Sequence, residues 1–467
     1  MNRKLFAVAV VMLLMPLMMG AQALKGSYFL DNSLNRNKLN PAFAPRSSYF
    51  QIPVVGNTSV GLLTNLDLQT FIYPMNGQLY TFLNKNITLE QFDSALAGNP
   101  HLDASADVNI LNFGGISGEK GFWTFDLGIR VNLDTDLPRD LFTFMKKGTG
   151  AAGKYNVGSV KANAAASVQA ALGYSRDLSD LVPGLRIGAK GRAILPIAYA
   201  GLDLTEVSLS TSPEKWTVAT DGTLSTAVKG IELMDSDGEL TPEIKGPLGL
   251  AGFGFSVDLG AEYKYEIDGF INGVSVSAAV TDLGVVNYDA CTQYHTSGQM
   301  DWTGLSISLQ EGAMDDAMAE LENEFGNLLS LSNGTETVFS RSTLPSFYLG
   351  AEMPFLSNSM SIGALFSSRK SYFASRNELT LSYNLNPVKW FALGVNYSFL
   401  NTTKTLGWII ELSTKAGPCF YIGSDYLFSA LAKAPENFPL EYIPMSWRFN
   451  LHFGLALALG GKKDKEK

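Results

Sequence analysis

The stretch that decides the fold is RNELTLSYNLNPVKWFALGVNYSF, residues Arg376–Phe399. In it, two runs of alternating apolar and polar side chains flank a short polar segment. The apolar positions are Leu379, Leu381, Tyr383 and Leu385 in the first run, and Phe391, Leu393, Val395, Tyr397 and Phe399 in the second. Asn386-Pro387-Val388-Lys389, between the runs, has residues typical of a turn. A period of two places alternate side chains on opposite faces of a strand, so the stretch predicts a β-hairpin with one apolar face.

The same alternation recurs along most of the chain, with aromatic residues at the strand ends. The clearest further runs are Trp123–Leu133, Val160–Leu172, Leu185–Ile197, Phe253–Tyr263 and Ser446–Leu459. No segment after the N-terminus is long and apolar enough for a spanning helix, so an exported chain of this kind crosses a membrane as a closed barrel or not at all. We therefore expect an all-β fold, a transmembrane antiparallel β-barrel of about 14 strands with short loop helices, an apolar lipid face and a polar lumen.

The N-terminus has the pattern of a signal peptide. Arg3 and Lys4 precede the apolar run Leu5–Met19, and Ala21-Gln22-Ala23 has the small residues of a cleavage site. The run is shorter than the roughly 20 residues that a spanning helix needs. We expect residues 1–23 to be a signal peptide cleaved after Ala23, and the mature protein to lie in the outer membrane of a Gram-negative bacterium, with lipid as its surroundings.

The composition of the chain limits the classes of partner that it could bind. Charged residues make up only 17% of the chain, and the formal net charge is −9, which argues against nucleic acid as a partner. The two cysteines, Cys291 and Cys419, could pair in an oxidising periplasm or remain free, and spacing does not decide between these.

Residues 24–46 are polar and have no strand period. They are either a disordered lead or a plug folded back into the barrel lumen, where polar side chains could satisfy an inner wall. The barrel itself is expected to span residues 47–460, followed by a charged tail at 461–467.

Three segments carry a resemblance to a known family. They are Asn40-Pro41-Ala42, Asp258–Tyr263 together with Thr281–Gly284, and Leu137–Phe142. These resemble segments of FadL-type outer-membrane transporters of fatty acids and other hydrophobic compounds, and of related uncharacterised exported barrels. The resemblance implies a 14-stranded barrel with an N-terminal plug, a plug motif formed by Asn40, Pro41 and Ala42, and passage of a small hydrophobic compound.

By alternation, charges of both signs face the lumen. The candidate lumen charges are Arg130, Arg186, Lys190, Arg192, Asp258, Glu262, Glu378 and Arg448, with Asp126, Glu411 and Asp425 on the same face. Unpaired charges in a narrow barrel are costly, so a structural ion-pair network is the first interpretation and a selective polar channel the second.

Sequence patterns for catalysis or metal binding are weak. None of His101, His295 and His452 lies in a nucleophile motif, and there is no His or Cys cluster, so we expect no enzyme activity, no cofactor and no metal site. A calcium loop around Asp235–Glu239 would need acids where Leu233 and Ile244 stand, which favours a solvated turn. Gln310–Leu331 has a helical period and predicts a lid, or a purely structural loop helix, at the barrel mouth.

Two functions remain open on the sequence alone. The first is passive uptake of a small hydrophobic compound through a plugged barrel. The second is a non-transporting outer-membrane platform that binds a periplasmic, secretion or surface-assembly partner.

Overall fold

A computed structural model describes most of the chain from residue 24 onward. The described residues are 24–31, 33–75, 78–96, 98–147, 153–212, 215–236, 239–244, 246–247, 249–302, 331–332, 334–400, 404–414, 416–427, 431–433, 442–444 and 448–461. The expected signal peptide, nearly all of the expected helix at 310–331, residues 462–467 of the tail, and residues 237–238 of the acidic turn lie outside them.

The chain folds into many strands and few helices. The strands are β1 Ser47–Gln51, β2 Thr58–Thr64, β3 Ile72–Met75, β4 Gln78–Thr81, β5 His101–Ser117, β6 Gly121–Asp136, β7 Gly153–Asp177, β8 Leu185–Thr211, β9 Trp216–Ala227, β10 Ile231–Ser236, β11 Glu239–Ile244, β12 Gly252–Glu266, β13 Gly273–Trp302, β14 Thr335–Ser342, β15 Ser346–Phe355, β16 Met360–Lys370, β17 Ser375–Val388, β18 Phe391–Leu400, β19 Lys404–Ser413, β20 Ala416–Ser424, β21 Leu431–Lys433, β22 Tyr442–Pro444 and β23 Phe449–Gly461. The helices are α1 Leu68–Phe71, α2 Leu89–Ala95 and α3 Arg139–Lys147, with 3₁₀ turns at Lys25–Ser27 and Arg36–Lys38.

Seventeen of these strands form one antiparallel sheet that closes on itself. Three barrel strands are interrupted, and each consists of two strands. β1 and β2 both lie between β23 and β5, and β9 and β12 both lie between β8 and β13. The third pair, β14 and β15, lies on one side of β13. The sheet therefore has 14 barrel strands, each paired with its neighbours in sequence, and β23 closes the barrel against β1 and β2. The predicted all-β fold class and strand number are confirmed.

The stretch Arg376–Phe399 forms the hairpin β17–β18. Leu379 pairs with Phe399, and Tyr383 with Val395, in the register that the alternation predicts. The register shifts after Leu385, so β17 continues to Val388 and the turn is tighter than the predicted one.

The barrel's outer face is apolar and its inner face polar. In β17 the side chains of Leu379, Leu381 and Tyr383 are exposed, whereas the intervening Thr380 and Asn384 are buried. A soluble protein does not expose such a continuous apolar surface, whereas a membrane barrel buries it in lipid. Among the described helices, none is both long and apolar enough to cross a membrane.

The two ends of the barrel differ. At one end, here called the lower end, the strands are joined by short connections such as 118–120, 356–359 and 389–390, and β1 begins and β23 ends there. The other, upper end has longer connections, such as 65–100 and 137–152. In outer-membrane barrels the short turns face the periplasm.

Part of the wall rises beyond the height that a bilayer requires. β7, β8 and β13 have 25, 27 and 30 residues, against roughly 9–11 for a spanning strand. Up to Val285 the outward side chains of β13 are apolar; beyond it Asn287 and His295 are exposed, while Tyr288 and Met300 are buried. Such a reversal of polarity is expected where the surroundings of the wall change from lipid to water.

The upper connections form a cap with its own apolar core. Phe82 and Phe92 stack with ring centroids 4.7 Å apart and pack with Phe71 and Phe142, which brings α1, the connection after β4, α2 and α3 together. Thr88 begins α2 with a capping box.

The break between β1 and β2 is bridged by hydrogen bonds. Ile52 N donates to Leu455 O at 3.1 Å, and Val54 N donates to Asn109 O at 2.9 Å. The residues between the two strands form an outward bulge that is still bonded to both neighbouring strands.

Candidate functional site

The lumen contains the N-terminal residues Leu24–Arg46, here called the inner segment. It runs from the lower end, where β1 begins, up to the level of Glu378 in β17. Almost all of its described side chains are buried, including those of Tyr28, Leu39 and Asn40. The side chains that cover them belong to the inner faces of the strands.

Four residues hold the upper end of the inner segment, and we call them the upper anchor: Lys25, Glu378, Asp425 and Tyr426. Lys25 Nζ contacts the Glu378 carboxylate and donates to the Tyr426 hydroxyl at 2.5 Å. The Asp425 carboxylate accepts the backbone N–H groups of Lys25 and Gly26, both at 2.9 Å.

Asn40-Pro41-Ala42 lies lower in the lumen, against the wall. Asn40 Nδ2 donates to Ala261 O at 3.2 Å, and Asn40 Oδ1 accepts from Ala42 N at 2.9 Å. The backbone of this turn approaches the wall where Gly188 and Gly260 pair across β8 and β12, here called the glycine pair. A Cβ on Gly188 would lie 2.1 Å from Pro41 O, so only glycine admits the turn at this distance.

A second set of charges lies near the lower end of the inner segment. Arg36 contacts the Asp31 carboxylate, lies 3.7 Å from Glu262 and stacks over the ring of Phe43 with its guanidinium carbon 4.0 Å from the ring centroid. Lys264, 3.4 Å from Asp31, completes this group. These contacts tie the inner segment to β12.

Asp282 joins two of the predicted lumen arginines. Arg130 Nη1 lies 3.2 Å from Asp282, and Arg192 contacts the same carboxylate. Asp258 lies 3.0 Å from Arg192 and also accepts Asp282 N–H at 2.7 Å, and Asp107 lies 3.2 Å from Arg130. Asp282 has φ of +57° at a register shift between β12 and β13, a strained conformation that turns its side chain inward.

Most of the other predicted lumen charges have a partner of opposite sign, whereas the Glu411 carboxylate accepts a hydrogen bond from the Ser413 hydroxyl at 2.6 Å. The pairs are Lys190 with Asp126 at 3.0 Å, Arg186 with Asp177 at 3.5 Å, Arg448 with Asp67 at 3.4 Å, Glu262 with Arg36 at 3.7 Å, and Glu378 with Lys25. Arg186 and Asp177 are a third exposed and lie near the lower rim, apart from the others. Sequence reasoning did not single out Lys25, Asp107 or Asp282, although Asp282 lies in one of the segments that carry the family resemblance.

A polar cavity of about 190 Å³ lies between the inner segment and the upper end. Its cationic lining residues are Lys25, Lys38, Arg130, Lys190, Arg192, Arg369 and Arg376, and its acidic ones are Asp107, Asp126, Asp282 and Glu378. Ile194, Val286 and Tyr288 add apolar surface. Among the described residues no group of three His, Cys, Asp or Glu side chains could hold a metal ion, and Cys291 and Cys419 are both buried as free thiols.

The solved structures that are similar to this chain include the following three. The TodX deltaS2S3 mutant monoaromatic hydrocarbon channel is 10% identical, with 91% of this chain and 94% of that chain covered and a TM-score of 0.42. The toluene transporter TodX of P. putida is 8% identical, with 90% and 93% covered and a TM-score of 0.39. The translocator domain of autotransporter NalP from Neisseria meningitidis is 8% identical, with 88% of each chain covered and a TM-score of 0.31.

TodX is a hydrocarbon channel of the FadL family, so the comparison includes the family that the sequence resembles. No curated protein matches the sequence. A family model matches residues 41–425, and the chain therefore belongs to DUF5723, a family of unknown function.

Proposed function

We propose that this protein is an outer-membrane channel through which a small solute diffuses passively, with the inner segment as its gate. The observation that carries the proposal is the inner segment itself, which lies in the lumen and is fixed at both ends by polar contacts. A gate needs contacts that hold one position and can be exchanged for water in another, and hydrogen bonds and ion pairs meet that need.

The upper anchor is the contact set whose loss would free the cavity. Glu378 and Lys25 are both 7% exposed, so removing one charge leaves the other buried without its partner, which costs roughly 3–5 kcal/mol. The inner segment would then exchange its upper contacts for solvent. Movement of Lys25 alone changes the cavity, because Leu24 and Lys25 line it.

Swelling of proteoliposomes in isotonic solutes tests this function. A chain without residues 24–45 should admit a small neutral sugar, arabinose, faster than the full chain. Because the shortened chain could fail to fold, the full-length double variant Glu378→Gln/Asp425→Asn provides a second test and should also admit arabinose faster. The matched control is Glu336→Gln, an exposed carboxylate on β14. Unchanged swelling in both opened variants would overturn the gate.

The family resemblance and the cavity lining favour different classes of solute. The family resemblance implies a hydrophobic compound, and toluene is the probe for that class. The cavity lining is rich in charge, however, and this favours a polar solute over an apolar one.

A platform role is the second candidate, and the tall part of the wall favours it. β7, β8, β9 and β13 rise above the membrane and carry the cap, which exposes a large surface to a protein partner. Photo-crosslinking in intact cells from position Trp216, an exposed residue at the top of β9, would identify such a partner. A purified protein that stays monomeric and admits solute would count against this role.

A further inference from the structure

We propose that the solute of this channel is a small anion with carboxylate or phosphate oxygens. This inference deepens the proposed uptake function and rests on it. It follows from the charges and the hydrogen-bond donors that the cavity presents, which are not the groups that an apolar solute would require.

Cations outnumber carboxylates on the cavity wall by seven to four, in a chain whose formal net charge is −9. Two of the seven cations pair with carboxylates that do not line the cavity, Arg192 with Asp258 and Arg376 with Asp103. Arg369 is different. Among the described residues no carboxylate lies within 4 Å of it, and Asp134, which shares a small side pocket with it, stays beyond that distance.

Arg369 also stands directly opposite Arg376 in the β16–β17 register. Like charges at opposed positions of a sheet repel each other, and this repulsion is relieved when an anion binds both. Arg376 already has Asp103, whereas Arg369 is half-buried and directed at the cavity without a counter-ion. This is the arrangement of a recruitment site for an anion that enters from the upper end.

A second arginine nearby is also without a carboxylate partner among the described residues. Arg341 donates to Asn163 Oδ1 at 2.7 Å and to the Tyr199 hydroxyl at 2.5 Å, and its guanidinium carbon lies 4.3 Å from the ring centroid of Tyr372. Tyr372 lines the cavity. Positive charge therefore extends from the cavity wall towards the upper rim.

The lower part of the cavity offers donors that lack acceptors. Lys38 Nζ donates to Asn109 Oδ1 at 3.0 Å, and because an ammonium group cannot accept, this bond fixes which amide atom faces it. Asn109 Nδ2 is thereby left as a donor with no protein partner, in a side chain only 4% exposed. His452 Nε2, in a side chain 2% exposed, also has no protein partner, and it is a second donor in the tautomer that carries the proton on Nε2. Both side chains line the cavity, and an anionic oxygen could accept from them.

The proposal therefore has two subsites on one path. Arg369 and Arg376 bind the anion near the upper end, and Lys38, Asn109 and His452 receive it beside the inner segment. A cavity of about 190 Å³ has room for phosphate or a four-carbon dicarboxylate.

Proteoliposome swelling with succinate, phosphate and arabinose tests this. The full chain and the Glu378→Gln/Asp425→Asn variant should each swell faster in the anions than in arabinose. Arg369→Gln in the full chain should lower the anion-to-arabinose ratio about three- to tenfold, the effect of one charge at a few ångströms in a wet lumen. Arg369→Lys should retain most of the ratio. The control Lys154→Gln removes an exposed charge on β7 and should leave the ratio unchanged.

The possible failures are distinguishable. If arabinose or toluene passes with no preference for the anions, or if Arg369→Gln leaves the ratio unchanged, the anion inference is overturned and the channel survives. If no probe passes even when the inner segment is deleted or the upper anchor is removed, the channel itself is overturned, and the anion inference with it.

Discussion

Replacing Gly188 by alanine should release the inner segment from the wall. The new Cβ would lie 2.1 Å from Pro41 O, 2.3 Å from Pro41 C and 2.6 Å from Ala42 N. These are backbone atoms, so no side-chain rotation relieves the contact. Ordinary contact requires at least 3.4 Å, and the turn must therefore move away by more than 1 Å.

The magnitude follows from what that movement breaks. Asn40 Nδ2 lies 3.2 Å from Ala261 O and 3.4 Å from Ala278 O, and neither hydrogen bond tolerates such a shift. Overpacking costs about 1–3 kcal/mol and each lost hydrogen bond about 1 kcal/mol. Relaxation of the turn recovers part of this cost. The position of the inner segment on the wall is therefore destabilised by roughly 2–4 kcal/mol.

Hydrogen exchange of peptides from the inner segment measures the effect. Amide protection there reports the free energy of local opening, so a loss of 2 kcal/mol accelerates exchange about 30-fold. Gly191→Ala is the matched control on the same strand, because a Cβ at that position has no atom within 4 Å. A folded Gly188→Ala protein whose inner segment exchanges at the wild-type rate would refute the assignment of the glycine pair as a binding surface for Asn40-Pro41-Ala42.

Three further predictions concern the anchors, the charges and the lipid face. Glu378→Gln should raise the hydrogen-exchange rate of amides around Lys25 at least 100-fold, because it leaves a buried ammonium group without its carboxylate. The control Glu336→Gln should leave that rate unchanged. Equal exchange rates in the two variants would contradict the role of the upper anchor. Asp282→Asn keeps a residue that tolerates positive φ but removes the charge shared by two arginines, so it should cost about 1–3 kcal/mol in a urea titration. Asp301→Asn, in an exposed pair with Lys215, should cost clearly less, because water screens an exposed pair. Equal costs would refute the special role of Asp282. Leu455→Lys should lower the free energy of unfolding in lipid vesicles by about 2–4 kcal/mol, because it places a charge on the lipid face. The control Leu83→Lys, in the cap, should have almost no effect. A neutral effect at Leu455 would place that side chain outside the bilayer core.

The sequence predicted the fold well wherever side-chain alternation had a single meaning. In β17 and β18 every second residue is apolar, and a strand pair with a lipid face follows directly. The prediction failed where the surroundings change along a strand. In β13 the outward side chains become polar beyond Val285, so the pattern of a lipid-facing strand stops there although the strand continues to Trp302. β7 likewise begins at Gly153, ahead of the alternating run Val160–Leu172 that indicates it.

The candidate site was predictable in its charges but not in their pairing. Alternation placed Arg130, Arg192 and Glu378 on the inner face, where the structure has them. Asp282 could not be placed in this way, because the register shift and its positive φ reverse the direction of its side chain. The partner of Glu378 is Lys25, 353 residues away in sequence, and no local pattern connects two such residues.

The most direct test of the account is the environment of alternate residues on β23 in lipid vesicles. Spin labels placed one at a time at Leu451, Leu455 and Ala456 can be compared for relaxation by oxygen, which concentrates in lipid, and by a water-soluble nickel complex. The account predicts strong relaxation by oxygen at the two leucines, whose side chains point outward, and little from either reagent at Ala456, which is 5% exposed beside the inner segment. Labels at Leu451 and Leu455 that are shielded from oxygen, or reached by the nickel complex, would contradict a barrel that faces lipid with its apolar side.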